Sequence, residues 1–286
     1  MKSLSTEILC VGYELLSGTI VNSNAHWLSQ KIFENGGIIN RITVIGDDVN
    51  EIDRAVKEAF ARRPNLLITS GGLGPTYDDK TLEGVALSLN LELAVNENAV
   101  EMLKRSYVIQ SKSPKLNEIR LKMAKIPVGS KPIQNPVGSA PAVVIENDGT
   151  TVICLPGVPE EMKAIFLQSV VPLIVKQVGD FVIIESNYEV LGVSEAMLAP
   201  TISDIVKSNH AGALYLKTHP LGRVIVNGKN QTRLRIQIVS KGENESEPRG
   251  LHDYVYEKIA AEISNLNGIT SATSIRKFHS SRCSGV

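Results

Sequence analysis

From Glu7 to about Leu173 short apolar runs alternate with amphipathic stretches. Residues 7–11, 38–45 and 66–69 have the character of buried strands, and helical periodicity fills the intervals. The first interval carries Ala25, Leu28, Ile32 and Phe33 on one face and stops at Gly36-Gly37, a glycine stop. The second opens at Asn50, a capping residue, and carries Ile52, Val56, Ala59 and Phe60. Strand, helix, strand, helix, strand is the rhythm of right-handed βαβ units around a parallel sheet. Helices are expected over residues 80–89 and 96–110 and up to 124, with a mobile polar loop around 111–115. Asp148-Gly149 marks a hairpin between strands at 142–146 and 151–155, and Pro159 opens an apolar-striped helix with Ile165, Phe166 and Leu173. After Gly179 the pattern changes to strand (181–192), helix from Ser194 to about 206, strands at 213–217 and 234–239, and a helix over 251–266. The expected organisation is an α/β domain with a mostly parallel sheet at 1–178, a small α+β domain at 179–270 and a loosely ordered polar tail at 271–286.

With 286 residues the chain can bury a full core and, at about 100 to 200 residues per domain, form two units. Lysine plus arginine equals aspartate plus glutamate at 30 each, which argues against nucleic acid as a whole-chain partner. No signal-like apolar segment follows the polar start and no apolar run approaches the ~18 residues of a membrane span, so a cytoplasmic protein without membrane contact is expected. Cys10, Cys154 and Cys283 are too scattered for a disulfide framework, and the five histidines show no paired metal spacing.

The chemistry concentrates where the strand at 66–69 ends. Gly71, Gly72 and Gly74 allow positive φ and close approach of a ligand, and the helix that follows turns its free N–H groups towards an anion. Pro75 stiffens the exit, and Asp78 and Asp79 place two carboxylates beside the phosphate seat, an unfavourable arrangement without a cation. Thr76 and Asp79 also have the spacing of a capping box, which accounts for one acid and leaves the glycines and the second acid unexplained. A P-loop is rejected because Asp79 stands where glycine should precede Lys80. Asp47-Asp48 reads as a solvated turn, Glu160 and Glu161 as helix-start acids, Trp27 as packing, Ser194 as a cap, and Arg223, Lys229, Arg233 and Arg235 as a solvated basic strip.

Taken jointly, Gly12-x-Glu14-Leu15-Leu16-x-Gly18, Asn22-x-Asn24-Ala25, Gly71-Gly72-Leu73-Gly74-Pro75-Thr76-x-Asp78-Asp79-x-Thr81, Asn135-Pro136-x-Gly138 and Leu155-Pro156-Gly157-Val158-Pro159-x-Glu161-Met162 closely resemble the CinA family of competence/damage-inducible proteins. The amino-terminal module of that family shares the molybdopterin-binding fold of MoaB and MogA. The resemblance implies a three-layer α/β/α domain followed by a KH-like one, a homodimer, and metal-dependent pyrophosphatase activity on ADP-ribose or related dinucleotides. Tyr13 stands where relatives carry Asp or Asn, and Ala142 where glycine is common. Longer relatives continue into a nicotinamide-mononucleotide deamidase domain; this chain ends before one could fit, and no such activity is expected.

On this resemblance, backbone N–H groups from Gly71 to Thr76 would hold a phosphate, with Pro75 shaping the seat. Glu14 with Asp78 or Asp79 would bind a divalent cation (Mg, Mn or Co), the remaining aspartate would orient or deprotonate water, and Asn135, Gly138 and Gly157 would line the pocket. The alternatives are molybdopterin binding in molybdenum cofactor biosynthesis and a non-catalytic nucleotide-binding module.

Overall fold

The computed structural model describes residues 4–109, 117–209 and 212–280; the loop expected around 111–115 and the chain from 281 lie outside them. The chain divides into two compact units, Lys2–Gln177 and Val178–Val286. The first contains, in order, β1 (Ser5–Val11), the single turn α1 (Tyr13–Leu16), α2 (Ser23–Glu34), β2 (Ile38–Ile45), α3 (Val49–Ala61), β3 (Leu66–Ser70), α4 (Thr81–Ser88) and β4 (Leu93–Val95). It continues with α5 (Glu97–Ile109), α6 (Glu118–Leu121), β5 (Lys125–Pro127), β6 (Lys131–Ile133), β7 (Ala142–Asn147), β8 (Thr150–Leu155), α7 (Pro159–Ile165) and α8 (Val171–Val178).

Six strands form a sheet in the order β2-β1-β3-β8-β7-β6. The four on the β2 side are parallel, as expected; β7 runs antiparallel to β8, and β6 antiparallel to β7, so the sheet is mixed. The local cause is Asp148-Gly149: both residues have positive φ, 45° and 79°, and a two-residue turn of that kind joins antiparallel neighbours. Alternate residues of the central strands face opposite sides. Leu9, Val11, Leu67, Val152 and Cys154 share one core with Ile52 and Val56 of α3, Val85 of α4 and Leu103 of α5. Ile8, Ile68, Ile153 and Leu155, one position along, are equally buried, so both faces are covered. Each such side chain contributes about 1.5–3 kcal/mol on burial. On α2, Trp27 packs edge-on against Phe166 with ring centroids 5.5 Å apart, in keeping with a packing role. On β1, the buried Glu7 accepts two hydrogen bonds of 2.7 Å from Arg62 at the end of α3. β4 and β5 pair as a separate two-stranded ladder.

The second unit consists of β9 (Val182–Leu191), α9 (Glu195–Ser208), β10 (Leu214–Val226), β11 (Lys229–Gly242), α10 (Ser246–Asn265) and β12 (Ile269–His279), with an antiparallel sheet in the order β10-β11-β9-β12. Val190, Leu198, Ile236, Ile238, Val255 and Ile259 form its core. Three expectations are corrected here. Residues 271–279 are not loose: β12 pairs along the whole of β9, and its nearly all-exposed side chains mark an edge strand held by ladder hydrogen bonds. β10 and β11 run well beyond 213–217 and 234–239, joined by Asn227-Gly228 at φ 50° and 75°, the residues a type I′ hairpin needs. Ser194 occupies the position before α9, but its hydroxyl makes no capping bond. The basic strip is partly paired, since Arg233 makes two bonds, 2.6 and 2.8 Å, to Glu189.

Candidate functional site

The carboxyl ends of β1, β3 and β8 open on a cavity of about 600 Å³ in the first unit. Open α/β sheets bind ligands at this end of their parallel strands. The floor is the turn after β3, where glycine is obligatory twice. Gly71 has φ 110° and a Cβ there would stand 2.1 Å from the Val11 carbonyl oxygen; Gly72 has φ 66° and a Cβ would stand 2.3 Å from Thr81 Oγ1. Thr81 fastens the turn by donating its hydroxyl to the Gly71 carbonyl at 2.7 Å.

The capping-box geometry exists, but in a different place from a helix start. α4 begins at Thr81, and Lys80 before it makes no side-chain cap. Thr76 instead donates its N–H to Asp79 Oδ2 at 2.8 Å and has its hydroxyl 2.5 Å from the same oxygen, while the Asp79 N–H returns to the Thr76 carbonyl at 3.3 Å. The box therefore closes a turn ahead of α4. Thr76 Oγ1 also lies 2.5 Å from Asp78 Oδ1. A hydroxyl has one proton to give, so two carboxylates compete for it. Thr76 holds the Asp78 carboxyl below the usual range, helped by the local backbone and the charges of Lys122 and Lys80. Lys122, which sequence reasoning passed over, donates to the Thr76 carbonyl at 2.5 Å across 46 positions of chain.

Glu14 lines the cavity from α1, and the Tyr13 N–H beside it donates to Asp47 Oδ2 at 2.8 Å. Asp47 is thereby part of the lining and not a solvated turn. Its one sequence signal was its place just past a parallel strand. Glu14, Asp78 and Asp79 do not form one cluster: among the described residues no three acid, histidine or cysteine side chains come together to hold an ion.

Gly71, Gly72, Gly74, Pro75, Asp78, Asp79 and Gly157 line the cavity, whereas Thr76, Asn135 and Gly138 do not. Asn135 works from behind. It is 2 % exposed, donates to the Ala140 carbonyl at 3.0 Å and to Glu161 Oε2 at 2.6 Å, and accepts from the N–H groups of Val137 and Gly138 at 3.2 and 2.7 Å. Its neighbours Ser139 and Ala140, and Glu161 itself, face the cavity. Glu161, expected to serve only the helix start, thus belongs to the lining; the motif flagged it, but helix-start chemistry was a sufficient explanation. Among the described residues, Glu14, Asp47, Asp78, Asp79 and Glu161 give the lining five carboxylates and no lysine, arginine or histidine. Cys10, also in the lining, is a buried thiol raised above its ordinary pKa by desolvation.

A family model described as a probable molybdopterin binding domain matches residues 7–176. The chain belongs to this family. Within the molybdopterin-binding-domain family it is CinA-like. The crystal structure of CinA from Thermoplasma acidophilum, a protein of unknown function, is 40% identical with a TM-score of 0.55, covering 59% of this chain and 98% of that one. A protein of Metallosphaera sedula is 38% identical over 264 residues, 92% of this chain and 96% of the relative. One of Pyrococcus abyssi is 41% identical over 209 residues, 71% of this chain and 81% of the relative. The molybdopterin-binding-domain match contains the whole cavity lining, from Cys10 to Glu161.

Proposed function

We propose that this chain hydrolyses the pyrophosphate bond of ADP-ribose or a related dinucleotide with a divalent cation (Mg, Mn or Co), giving AMP and ribose 5-phosphate. The observation that carries the proposal is the convergence of Asp78 and Asp79 on the single hydroxyl of Thr76, beside the glycine turn. The cavity, about 600 Å³, suits a nucleotide-sized ligand.

Two carboxylates ~4 Å apart at an effective dielectric near 20 repel by about 4 kcal/mol, and a pyrophosphate adds to the repulsion. Hard oxygen donors in a lining that has no basic side chain among the described residues fit a divalent cation, which when bound would supply charge neutralisation for the phosphate oxygens. Asp78, the carboxylate kept ionised by its surroundings, would hold it. Asp79, fixed by the N–H and hydroxyl of Thr76, would orient the attacking water and take its proton as the oxygen–phosphorus bond forms and the bridging one breaks. Glu14 lines the same cavity but makes no group of three with the pair among the described residues. The Gly71 N–H is spent on the Leu155 carbonyl and the Thr76 N–H on Asp79, and Pro75 has none. Phosphate contact therefore falls to the N–H groups of Gly72, Leu73 and Gly74.

The same proposal includes a homodimer and a cytoplasmic location. Among the described residues no helix is long and apolar enough to cross a membrane. A second proposal, molybdopterin binding, draws its support from the family match over residues 7–176. The deciding experiment gives metal-stripped protein ADP-ribose, NAD, FAD and coenzyme A with magnesium, manganese, cobalt or chelator, and follows AMP by chromatography. Release that needs metal and disappears in Asp79→Asn, with the fold intact, is the expected result. Activity retained by that variant assigns the chemistry elsewhere. No AMP under any condition favours pterin binding, tested by titrating molybdopterin, or a non-catalytic nucleotide module.

A further inference from the structure

We propose that Ile20, Val21 and Val158 form the seat for the base of the nucleotide, an apolar shelf beyond the phosphate end of the cavity. The site thereby favours ligands that carry a flat heteroaromatic ring over sugar phosphates that lack one. This rests on the nucleotide proposal above and extends it from the phosphates to the base.

All three residues line the cavity, yet they are left 54, 84 and 50 % exposed. Single exposed apolar residues are ordinary on a protein surface. Three from two distant segments, gathered in one cavity, call for an occupant. The chain around them is pinned. The Ile20 N–H donates to the Glu14 carbonyl at 3.2 Å and the Ser23 N–H to the Val21 carbonyl at 2.7 Å. Asn22 accepts the Ala25 N–H at 3.1 Å and so caps α2. Asn24 then ties this segment, at 2.8 Å, to the carbonyl of Gly157, the residue before Val158. Hydrogen bonds therefore fix the shelf while its side chains stay uncovered, and a surface ordered in advance gives up little entropy on taking a rigid ring.

The place of the shelf relative to the acids follows from close approaches along the cavity. Asp79 lies against Gly74, where a Cβ would stand 2.6 Å from Asp79 Oδ2. Gly71, at the other end of the glycine turn, lies against Gly157: a Cβ on Gly157 would stand 3.3 Å from the Gly71 Cα. The order along the cavity is thus Asp79, glycine turn, Gly157, shelf. A phosphate held by the N–H groups of Gly72 to Gly74 leaves the sugar and base to extend towards Gly157 and Val158. There the face of the ring sheds water against apolar side chains. Valine and isoleucine side chains neither donate nor accept hydrogen bonds, so the shelf reads the presence of a ring.

The test measures AMP and ribose 5-phosphate by calorimetry, in magnesium, on the wild-type chain, Val21→Ser and Val158→Ser. The two ligands differ in whether the base is present. The wild type should bind AMP about tenfold or more tightly than ribose 5-phosphate, and each variant should lose about fivefold for AMP and nothing for ribose 5-phosphate. Both variants should fold: Val21 is exposed, and Val158 stands at the cap of α7 without a side-chain cap bond, a place that serine favours. Equal affinity of the wild type for both ligands, unchanged AMP affinity in both variants, an equal loss for both ligands, or no binding of either at millimolar concentration overturns the proposal. So does a fall in self-association, read by sedimentation, with AMP affinity unchanged; that result gives the shelf to a second copy of the chain. The two proposals separate. AMP binding that needs the shelf, without hydrolysis, keeps the ring seat and removes the hydrolase. Hydrolysis with the same KM in both variants does the reverse.

Discussion

Asn24 and Gly157 stand 133 positions apart in the chain and 2.8 Å apart in the structure, the Asn24 amide donating to the Gly157 carbonyl. The same Nδ2 lies 3.0 Å from Ser70 Oγ. One side chain at the start of α2 thus joins the last residue of β3 to the turn that follows β8, both of which line the cavity. Asn24→Ala leaves that carbonyl without its donor and should cost about 1–2 kcal/mol, read as a lower Tm. Asn24→Asp, which sets a carboxylate against the carbonyl, should cost more. Equal stability of all three chains would show the contact to be incidental.

Gly71→Ala tests the floor of the cavity. Its φ of 110° is one that L side chains rarely adopt, and the added methyl would meet a backbone oxygen that cannot swing aside. A loss of about 3 kcal/mol or more is expected in denaturant unfolding. A change under 1 kcal/mol would mean that the turn relaxes easily.

Thr76→Val removes the hydroxyl that two carboxylates share. The Asp78 pKa is lowered in the folded chain, so the stability it contributes is present above the ordinary carboxylate value and lost as pH falls through the lower folded value. The valine variant should move Asp78 back up towards that ordinary value. Carbon-detected NMR titration of the side-chain carboxyl reads this directly, and an unmoved Asp78 would contradict the role given to Thr76.

In the second unit Glu245 is held at a pKa of about 2, first by Lys277 of β12 and then by Arg249 of α10. The pairs are 2.5 and 2.6 Å long. A depressed carboxyl stabilises above its unfolded value of 4.5 and ceases to do so as pH falls towards 2, so acidification over that window should loosen β12. Hydrogen exchange along residues 269–279 is the measurement. Salt should weaken the effect because the pair is exposed, and Lys277→Ala should raise the Glu245 pKa. Exchange that does not change across the window would leave the strand held by its ladder alone.

The parts of the fold legible in advance were those written in apolar periodicity or in turn chemistry. The central strands, α2, α3 and the Asp148-Gly149 hairpin belong here, because burial and positive φ restrict residue type. β12 was not legible, since an edge strand keeps its exposed polar side chains and is held by backbone bonds that composition does not register. The three-residue strands β4 and β5 are too short to carry a period. At the site, Gly71, Gly72 and the paired aspartates stood out because each breaks an ordinary preference. Asp47, Lys122 and Glu161 did not: an acid after a strand, a lysine on a short helix and an acid in a first helical turn all have everyday explanations. Only the tertiary structure shows what each of them reaches.

The place of β8 beside β3 in the sheet has a consequence for how the protein is made. A ribosome delivers β1, β2 and β3 early, yet β3 cannot complete its pairing until residues 150–155 emerge, and Gly157 and Glu161 follow later still. Until then the apolar edge of β3 is open and the glycine turn has no opposite wall. The cavity is therefore completed only by the last part of the first unit to be made, so a nascent chain shorter than this should present the glycine turn without its opposite wall.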